Sequence, residues 1–287
     1  MIARPFLKWA GGKTALLPEI LPRLPKKINT YYEPFVGGGA VFFALAAEKR
    51  FEGANISDVN SELVEAYSTV GADPKGVIKV LKRHAKKHCE DHYYAIRALN
   101  HTKLSRIERA ARTIYLNRTG FNGLYRVNRK GLFNVPFGDY ANPTICNEEN
   151  LIAVSSLLIA KLGAAAWNDD FTVGVAIRDF EIAVSDAKRG DAVYFDPPYV
   201  PVSKTANFTA YSKGGFNDEE QARLRDCFAR LYKRGVHVLL SNSDTPFVRK
   251  LYKGFKLEKV QAPRRINSKG GKRGNVGELL ITGRHAP

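Results

Sequence analysis

Ala192-Val193-Tyr194-Phe195-Asp196-Pro197-Pro198-Tyr199 is the stretch on which the fold turns. A short apolar run bounded by turn residues reads as a buried strand, and the two prolines, which lack an N–H, end its ladder at Asp196. Similar runs recur at Tyr31 to Val36, Ala54 to Asp58 and Val236 to Asn242. Continuous apolar runs of this kind belong to strands covered on both faces. Helical patterns lie between them: Asn217, followed by Glu220 and the periodic set Ala222, Leu224, Cys227, Phe228 and Leu231, opens a helix that Gly235 closes. Strand and helix alternate, which implies an α/β fold around a parallel sheet.

The stretch from 60 to 165 interrupts this rhythm. Val77, Val80 and Leu81 carry a helical signal, and Ser105-x-x-Glu108 is a capping box before a helix bearing Ile107, Ala110, Ala111, Ile114 and Tyr115. The Gly- and Asn-rich segment Arg118 to Gly138 then reads as an exposed hairpin or loop. The expectation is a core made of 1–58 and 166–287, with 59–165 inserted into it.

Two motifs sit at predicted strand ends. Glu33-Pro34-Phe35-Val36-Gly37-Gly38-Gly39 precedes the helical run Val41 to Lys49, and such glycines let backbone approach a ligand at a helix N-terminus. Asp58, ending the next strand, is spaced to accept the hydroxyl protons of a ribose. Two rival readings fail. A dinucleotide fingerprint from Gly37 needs Gly or Ala where Phe42 stands, and a P-loop ending at Gly12-Lys13-Thr14 would need glycine at Leu7 and a preceding strand.

The second motif is Asp196-Pro197-Pro198-Tyr199 itself. Its prolines fix the chain and remove donors, so the Pro197 carbonyl and the Asp196 carboxylate offer two acceptors at one point. That suits an amine. Hydrogen bonds to both acceptors would hold an exocyclic nitrogen pyramidal, with its lone pair free, while Tyr199 stacks on the base that carries it. Ser241-Asn242-Ser243-Asp244 ends a strand and reads as support for the sheet edge.

The 287-residue chain carries 45 Lys and Arg against 28 acids, a net charge of +17, which favours a polyanionic partner. Residues 109 to 138 hold Arg109, Arg112, Arg118, Arg126, Arg129 and Lys130 without a carboxylate, interleaved with Phe121, Tyr125, Phe133, Asn122 and Asn128. That mixture suits base stacking and base-edge hydrogen bonding. A second basic stretch holds Lys259, Arg264, Arg265, Lys269, Lys272 and Arg273. Asn207, Phe208, Thr209, Ala210 and Tyr211 read equally as a loop that orders around a flipped base or as a plain surface loop. His84, His88 and His92 share a helical spacing, but Lys82, Lys86 and Lys87 oppose a cation there, so a solvated or phosphate-facing helix is expected and no metal. Cys89, Cys146 and Cys227 are odd in number and widely spaced, which suggests a reducing compartment. None follows a proline on a strand, so a covalent thiolate mechanism on a cytosine ring has no support. No stretch approaches a membrane-spanning apolar length.

Taken together, these motifs resemble the Dam-type DNA adenine methyltransferases, in the order cofactor motif, recognition insertion, catalytic motif. The resemblance implies a Rossmann-like S-adenosylmethionine-dependent methyltransferase sheet with an inserted helical and hairpin target-recognition domain. Phe6-Leu7-Lys8-Trp9-Ala10-Gly11-Gly12-Lys13 is similar to the family's N-terminal segment, implying that Trp9 and Lys13 help bind S-adenosylmethionine. Glu33, Pro34, Phe35, Gly37, Gly39, Asp58 and Asp196 fall on its cofactor motifs, with Phe180 a looser match. Asp196, Pro197, Pro198 and Tyr199 are the implied catalytic residues.

Asn117 to Arg126, followed by Phe133 to Gly138, resembles the target-recognition hairpin. Carried over by position, Lys8, Asn122, Leu124 and Arg126 contact target bases, Arg126 as guanine reader, with Arg118, Asn128, Asn134 and Tyr140 completing the DNA-facing set. Phe121 stands where the commoner inserting residue is Tyr, which loses a hydroxyl, and Asp139 stands where relatives have a basic residue. The family implies double-stranded DNA as partner, GATC as site, base flipping, action as a monomer and a cytoplasmic, bacterial or phage setting. A non-catalytic basic nucleic-acid-binding protein on the same fold is the competing reading, and intact Asp58, Asp196 and Tyr199 favour the enzyme.

Overall fold

The computed structural model describes residues 2–9, 11–159, 172–201, 215–263 and 275–283. Its centre is a seven-stranded sheet: β1 (Ile28–Glu33), β2 (Phe51–Asp58), β3 (Thr172–Ile177), β4 (Ala192–Phe195), β5 (His237–Ser243), β6 (Lys256–Pro263) and β7 (Asn275–Thr282), in the order β3-β2-β1-β4-β5-β7-β6. β1 to β5 pair in parallel, and β7 runs antiparallel to both β5 and β6. Strand order reverses direction between β1 and β4. In open α/β sheets the crevice outside the carboxyl ends at that switch point is where ligands bind. Both sequence motifs end there, one on β1 and one on β4.

Period-two alternation sends successive residues to opposite faces. Tyr31, Ala192, Tyr194, Leu239 and Leu280 join one core, whereas Tyr32, Val193, Phe195, Leu240 and Ile281 join the other. Helices cover both faces: α1 (Ala40–Ala47), α2 (Ser61–Ala72), α3 (Pro74–Lys86), α4 (Glu90–Ala98), α5 (Arg106–Thr119), α6 (Glu148–Leu158), α7 (Asp218–Lys233) and the short α8 (Pro246–Leu251). α7 presents Leu224, Cys227, Phe228 and Leu231 to the second core, and it starts at Asn217, whose side chain accepts from the Glu220 N–H at 3.0 Å. The capping box at Ser105 and Glu108 forms with both reciprocal bonds. α2 to α6 share one apolar core with the first face of the sheet.

Three expectations change. Of the two readings of the Arg118 to Gly138 segment the loop holds and a laddered hairpin does not: two isolated bridges, Gly120 to Phe137 and Val127 to Phe133, hold it, with a 3-10 turn at Phe121–Gly123 just inside the first bridge and the chain reversal at Asn128–Leu132. His84, His88 and His92 lie on no single helical face, because the chain turns between α3 and α4. They close around Tyr115 instead, with His84 Nδ1 3.1 Å from His92 Nε2 and His88 Nδ1 3.0 Å from the Tyr115 hydroxyl. That packing replaces the solvated helix. Ser241 to Ser243 lie on β5, which is interior and flanked by β4 and β7, so they support no sheet edge. The loop at Asn207, Phe208, Thr209, Ala210 and Tyr211, and the basic residues Arg264, Arg265, Lys269, Lys272 and Arg273, lie outside the described residues. Among the described residues no helix is long and apolar enough to cross a membrane.

Candidate active site

β4 delivers Asp196 to the switch point, where its Oδ1 receives the Lys13 ammonium at 2.8 Å and the Ser241 hydroxyl at 3.0 Å. Burial pushes the Asp196 carboxyl above its usual range, and Lys13 and Ser241 partly offset this by favouring the charged form. Lys13 is itself buried; it also donates to the Gly11 carbonyl at 2.6 Å and lies 4.7 Å from the centre of the Tyr199 ring. The Tyr199 hydroxyl donates to Glu278 Oε2 on β7 at 2.7 Å. A cation thus rests on a carboxylate and an aromatic face together.

β1 delivers the glycine turn. Gly37 has φ +47°, and an added Cβ would stand 2.7 Å from Trp9 Cδ1, so glycine is required both by conformation and by contact. Trp9 is wedged between this turn and Tyr125, on which it stacks with centroids 5.5 Å apart. Asp58 closes the turn from β2, accepting the Gly37 N–H at 3.2 Å and the Asn60 N–H at 3.0 Å, while burial moves its carboxyl up to about 6. Beside it, Val59 and Ile177 are 54% and 57% exposed, an apolar rim on adjacent strand ends. Sequence reading missed both, since a single apolar residue after a strand carries no periodic signal.

Glu33 is occupied internally: its Oε2 accepts the Tyr31 hydroxyl and the Phe42 N–H, each at 2.9 Å, and burial raises it to about 8. Phe180 is buried beneath Phe35, stacked at 5.5 Å, with the Arg223 guanidinium 4.2 Å over its ring. Pro34 and Gly39 follow β1 into the start of α1.

The residues expected to read DNA lie across Trp9. Lys8 Nζ sits 3.9 Å over the Tyr140 ring, and burial together with Arg118 lowers its pKa. Asn122, at φ +54°, and Gly123 shape the 3-10 turn, on which Phe121 is 47% exposed. Arg126 is exposed and held by Asn134, its Nε donating to Oδ1 at 2.7 Å. Asn128 folds its side chain onto the Lys130 and Leu132 N–H groups, and Leu124 is half-buried. Part of the expected basic patch is structural. Arg109 pairs with Glu65, Arg112 is buried against the Ile96 and Arg97 carbonyls, and half-buried Arg118 donates to the Thr144 carbonyl. Of the aromatics read as stacking candidates, Tyr125 and Phe133 are buried, which leaves Phe121 at the surface.

The sheet order, with this acidic proline turn at its switch point, defines an α/β methyltransferase. Comparison with known proteins narrows the class: the profile of the D12 class N6 adenine-specific DNA methyltransferases matches residues 9–266, and the chain belongs to that family. It is 44% identical over 283 residues to the Type II methyltransferase M1.LlaDCHI of Lactococcus lactis subsp. cremoris, covering 97% of this chain and 95% of the relative. It is 43% identical over 298 residues to the Type II methyltransferase M.MjaIII of Methanocaldococcus jannaschii, covering 98% and 99%. It is 37% identical over 279 residues to the DNA adenine methylase of Escherichia coli strain K12, covering 96% and 94%. The resemblance read from the motifs holds at the level of the family.

Proposed function

We propose that this adenine-specific DNA methyltransferase takes its methyl group from S-adenosylmethionine and delivers it to the N6 amine of a flipped adenine within GATC. The observation that carries the reading is the seating of Lys13, a nitrogen donor held at 2.8 Å on Asp196 and 4.7 Å over Tyr199. Those are the two contacts an aromatic amine needs, one for its N–H groups and one for its ring. On target entry Lys13 yields this seat, Asp196 and the Pro197 carbonyl accept hydrogen bonds from the amine, and Tyr199 stacks on the base; as the N–C bond forms and the sulfonium S–C bond breaks, one amine proton is released by way of the Asp196 carboxylate to solvent. Pro198 fixes the turn that aims them.

The residues fit the cofactor. Asp58 offers a carboxylate to ribose hydroxyls, and Val59 and Ile177 offer an exposed apolar rim to an adenine face. Trp9, Lys13, Glu33, Pro34, Phe35, Gly37, Gly39, Phe180 and Asp196 line or support the same crevice. S-adenosylmethionine supplies an electrophilic methyl group there. The core of 1–58 and 166–287 does the chemistry, and 59–165 reads DNA through Phe121, Asn122, Leu124, Arg126, Asn128, Asn134 and Tyr140, with Lys8 and Arg118 beside them. The protein acts as a monomer on double-stranded DNA in the cytoplasm.

The test is methyl transfer from labelled S-adenosylmethionine to purified plasmid, followed by mapping of methylated adenines. Modification confined to GATC is expected. A different methylated site would refute the specificity, and no transfer with DNA binding retained would refute the catalytic reading.

A further inference from the structure

The paired backbones of β4 and β5 stop at Phe195 and Leu240. Beyond that point Pro197 and Pro198 have no N–H to give, while β5 runs on to Ser243. Side chains of β5 continue the pairing. Ser241 donates to Asp196 Oδ1, and the Ser243 hydroxyl donates to the Val200 carbonyl at 2.6 Å. Asn242, between them, accepts the Val200 N–H on Oδ1 at 3.2 Å. Its Nδ2 donates to Gln221 Oε1 at 3.0 Å, and Gln221 Nε2 donates to the Pro198 carbonyl at 2.9 Å.

The result is a directional relay that leaves the chain at the Val200 N–H and returns at the Pro198 carbonyl, enclosing Tyr199. Both amide orientations are dictated at the ends, by a backbone donor on one side and a backbone acceptor on the other. Gln221 and Asn242 are 1% and 0% exposed. Gln221 also stands at the first position of the α7 stripe that continues through Leu224, Phe228 and Leu231 into an apolar core. The rest of the stripe is apolar, and an apolar residue at 221 would leave the Asn242 amide and the Pro198 carbonyl without these partners. A buried polar pair in that place is explained by what it holds.

We propose that Gln221 and Asn242 are positioning residues for methyl transfer: by pinning the backbone on both sides of Tyr199, they aim its ring and, one residue before the pinned Pro198, the Pro197 carbonyl at the target adenine. The inference rests on the Asp196 turn being the reaction centre, as proposed above. It assigns the pair to the rate of the transfer step and not to affinity for DNA or cofactor.

Gln221→Glu separates these roles because it keeps the shape of the side chain and reverses one end of the relay. As a carboxylate it faces the Pro198 carbonyl with an acceptor; once protonated, its O–H can donate to that carbonyl again. The experiment measures single-turnover methyl transfer from S-adenosylmethionine to plasmid DNA by the full chain between pH 6 and 9, alongside dissociation constants for both ligands. At pH 8 the variant is expected to be about ten- to a hundredfold slower than wild type, the scale of a misaligned reactive group. Its affinities should stay within about twofold. The ratio of wild-type to variant rate should shrink as pH falls, while the neutral Gln221→Met stays slow at every pH. A rate near wild type, a ratio that ignores pH, or a loss carried by the affinities overturns the proposal. If Gln221→Glu does not fold, Gln221→Met decides alone: slow transfer with unchanged affinities supports the role, and full speed refutes it. Wild type itself failing to methylate plasmid would instead remove the proposed function on which the inference stands.

Discussion

Replacing Lys13 by Met removes the cation from a buried pair and leaves Asp196 with the Ser241 hydroxyl. At 2.8 Å, in an effective dielectric of about 20, the gross attraction is roughly 6 kcal/mol. Desolvation consumes part of that, and breaking a buried pair by deleting one partner costs about 3 to 5 kcal/mol. Asp196 retains one donor and its side chain is 19% exposed, so the lower end, about 3 kcal/mol at pH 8, is expected. The cost depends on pH. Burial already raises the Asp196 carboxyl above its usual 3.8, and loss of Lys13 raises it further. A carboxyl raised on folding favours the folded state below its unfolded pKa and loses that advantage as pH climbs through the folded value. The deficit of Lys13→Met against wild type should therefore be smaller at pH 5 than at pH 8. Urea unfolding at both pH values, with matched m-values, measures it. A deficit below about 1 kcal/mol at pH 8, the scale of an exposed pair, or one unchanged with pH, would refute the reasoning.

Three further outcomes are expected. Glu33, raised to about 8 from a usual 4.5, favours folding while protonated and costs stability as pH rises through that window. Glu33→Gln, which keeps an acceptor for Tyr31 and Phe42, should gain more than about 1 kcal/mol on wild type between pH 5 and 9, and parallel stability curves would count against this. Gly37→Ala combines a positive φ with contact against Trp9, so it should cost about 1 to 3 kcal/mol and weaken S-adenosylmethionine binding. Calorimetry showing neither change would remove the requirement for glycine. Arg126→Ala should relax discrimination at one guanine by about 1 to 3 kcal/mol in methylation of single-substituted duplexes, and an unchanged preference moves the reader elsewhere.

Four strands of the sheet, β1, β2, β4 and β5, were legible because they are largely buried and stop at punctuating residues, whereas β3, exposed or half-buried along its length, and the β6–β7 pair were not read. Tyr31 to Val36 and Ala192 to Asp196 lie within two or three residues of the observed strands. Asn217 and Ser105 cap where local chemistry requires. What escaped depends on distance in sequence. Arg109 and Arg112 look like free cations until α2 brings Glu65 and Glu62 against them. The histidine spacing suggested one helix face because nothing local marks the bend after α3. Ser241 and Asn242 read as a strand ending, since their partners at Asp196, Val200 and Gln221 lie 45, 42 and 21 residues away. The carboxylate proposed to react was visible in the sequence; that Lys13 and Ser241 hold it was visible only in three dimensions.

Asn117 has a consequence of its own. Its side chain accepts the Lys8 N–H at 2.7 Å, and its amide donates to the Lys8 carbonyl and to the Gly123 carbonyl at 3.0 Å. One buried amide therefore fastens the segment leading to Trp9 onto the turn that carries Phe121. Aspartate would forfeit both donations, and glutamine would overshoot by a methylene. A displacement of that turn is therefore passed to the segment that carries Trp9 along two routes, this amide and the stacking of Trp9 on Tyr125.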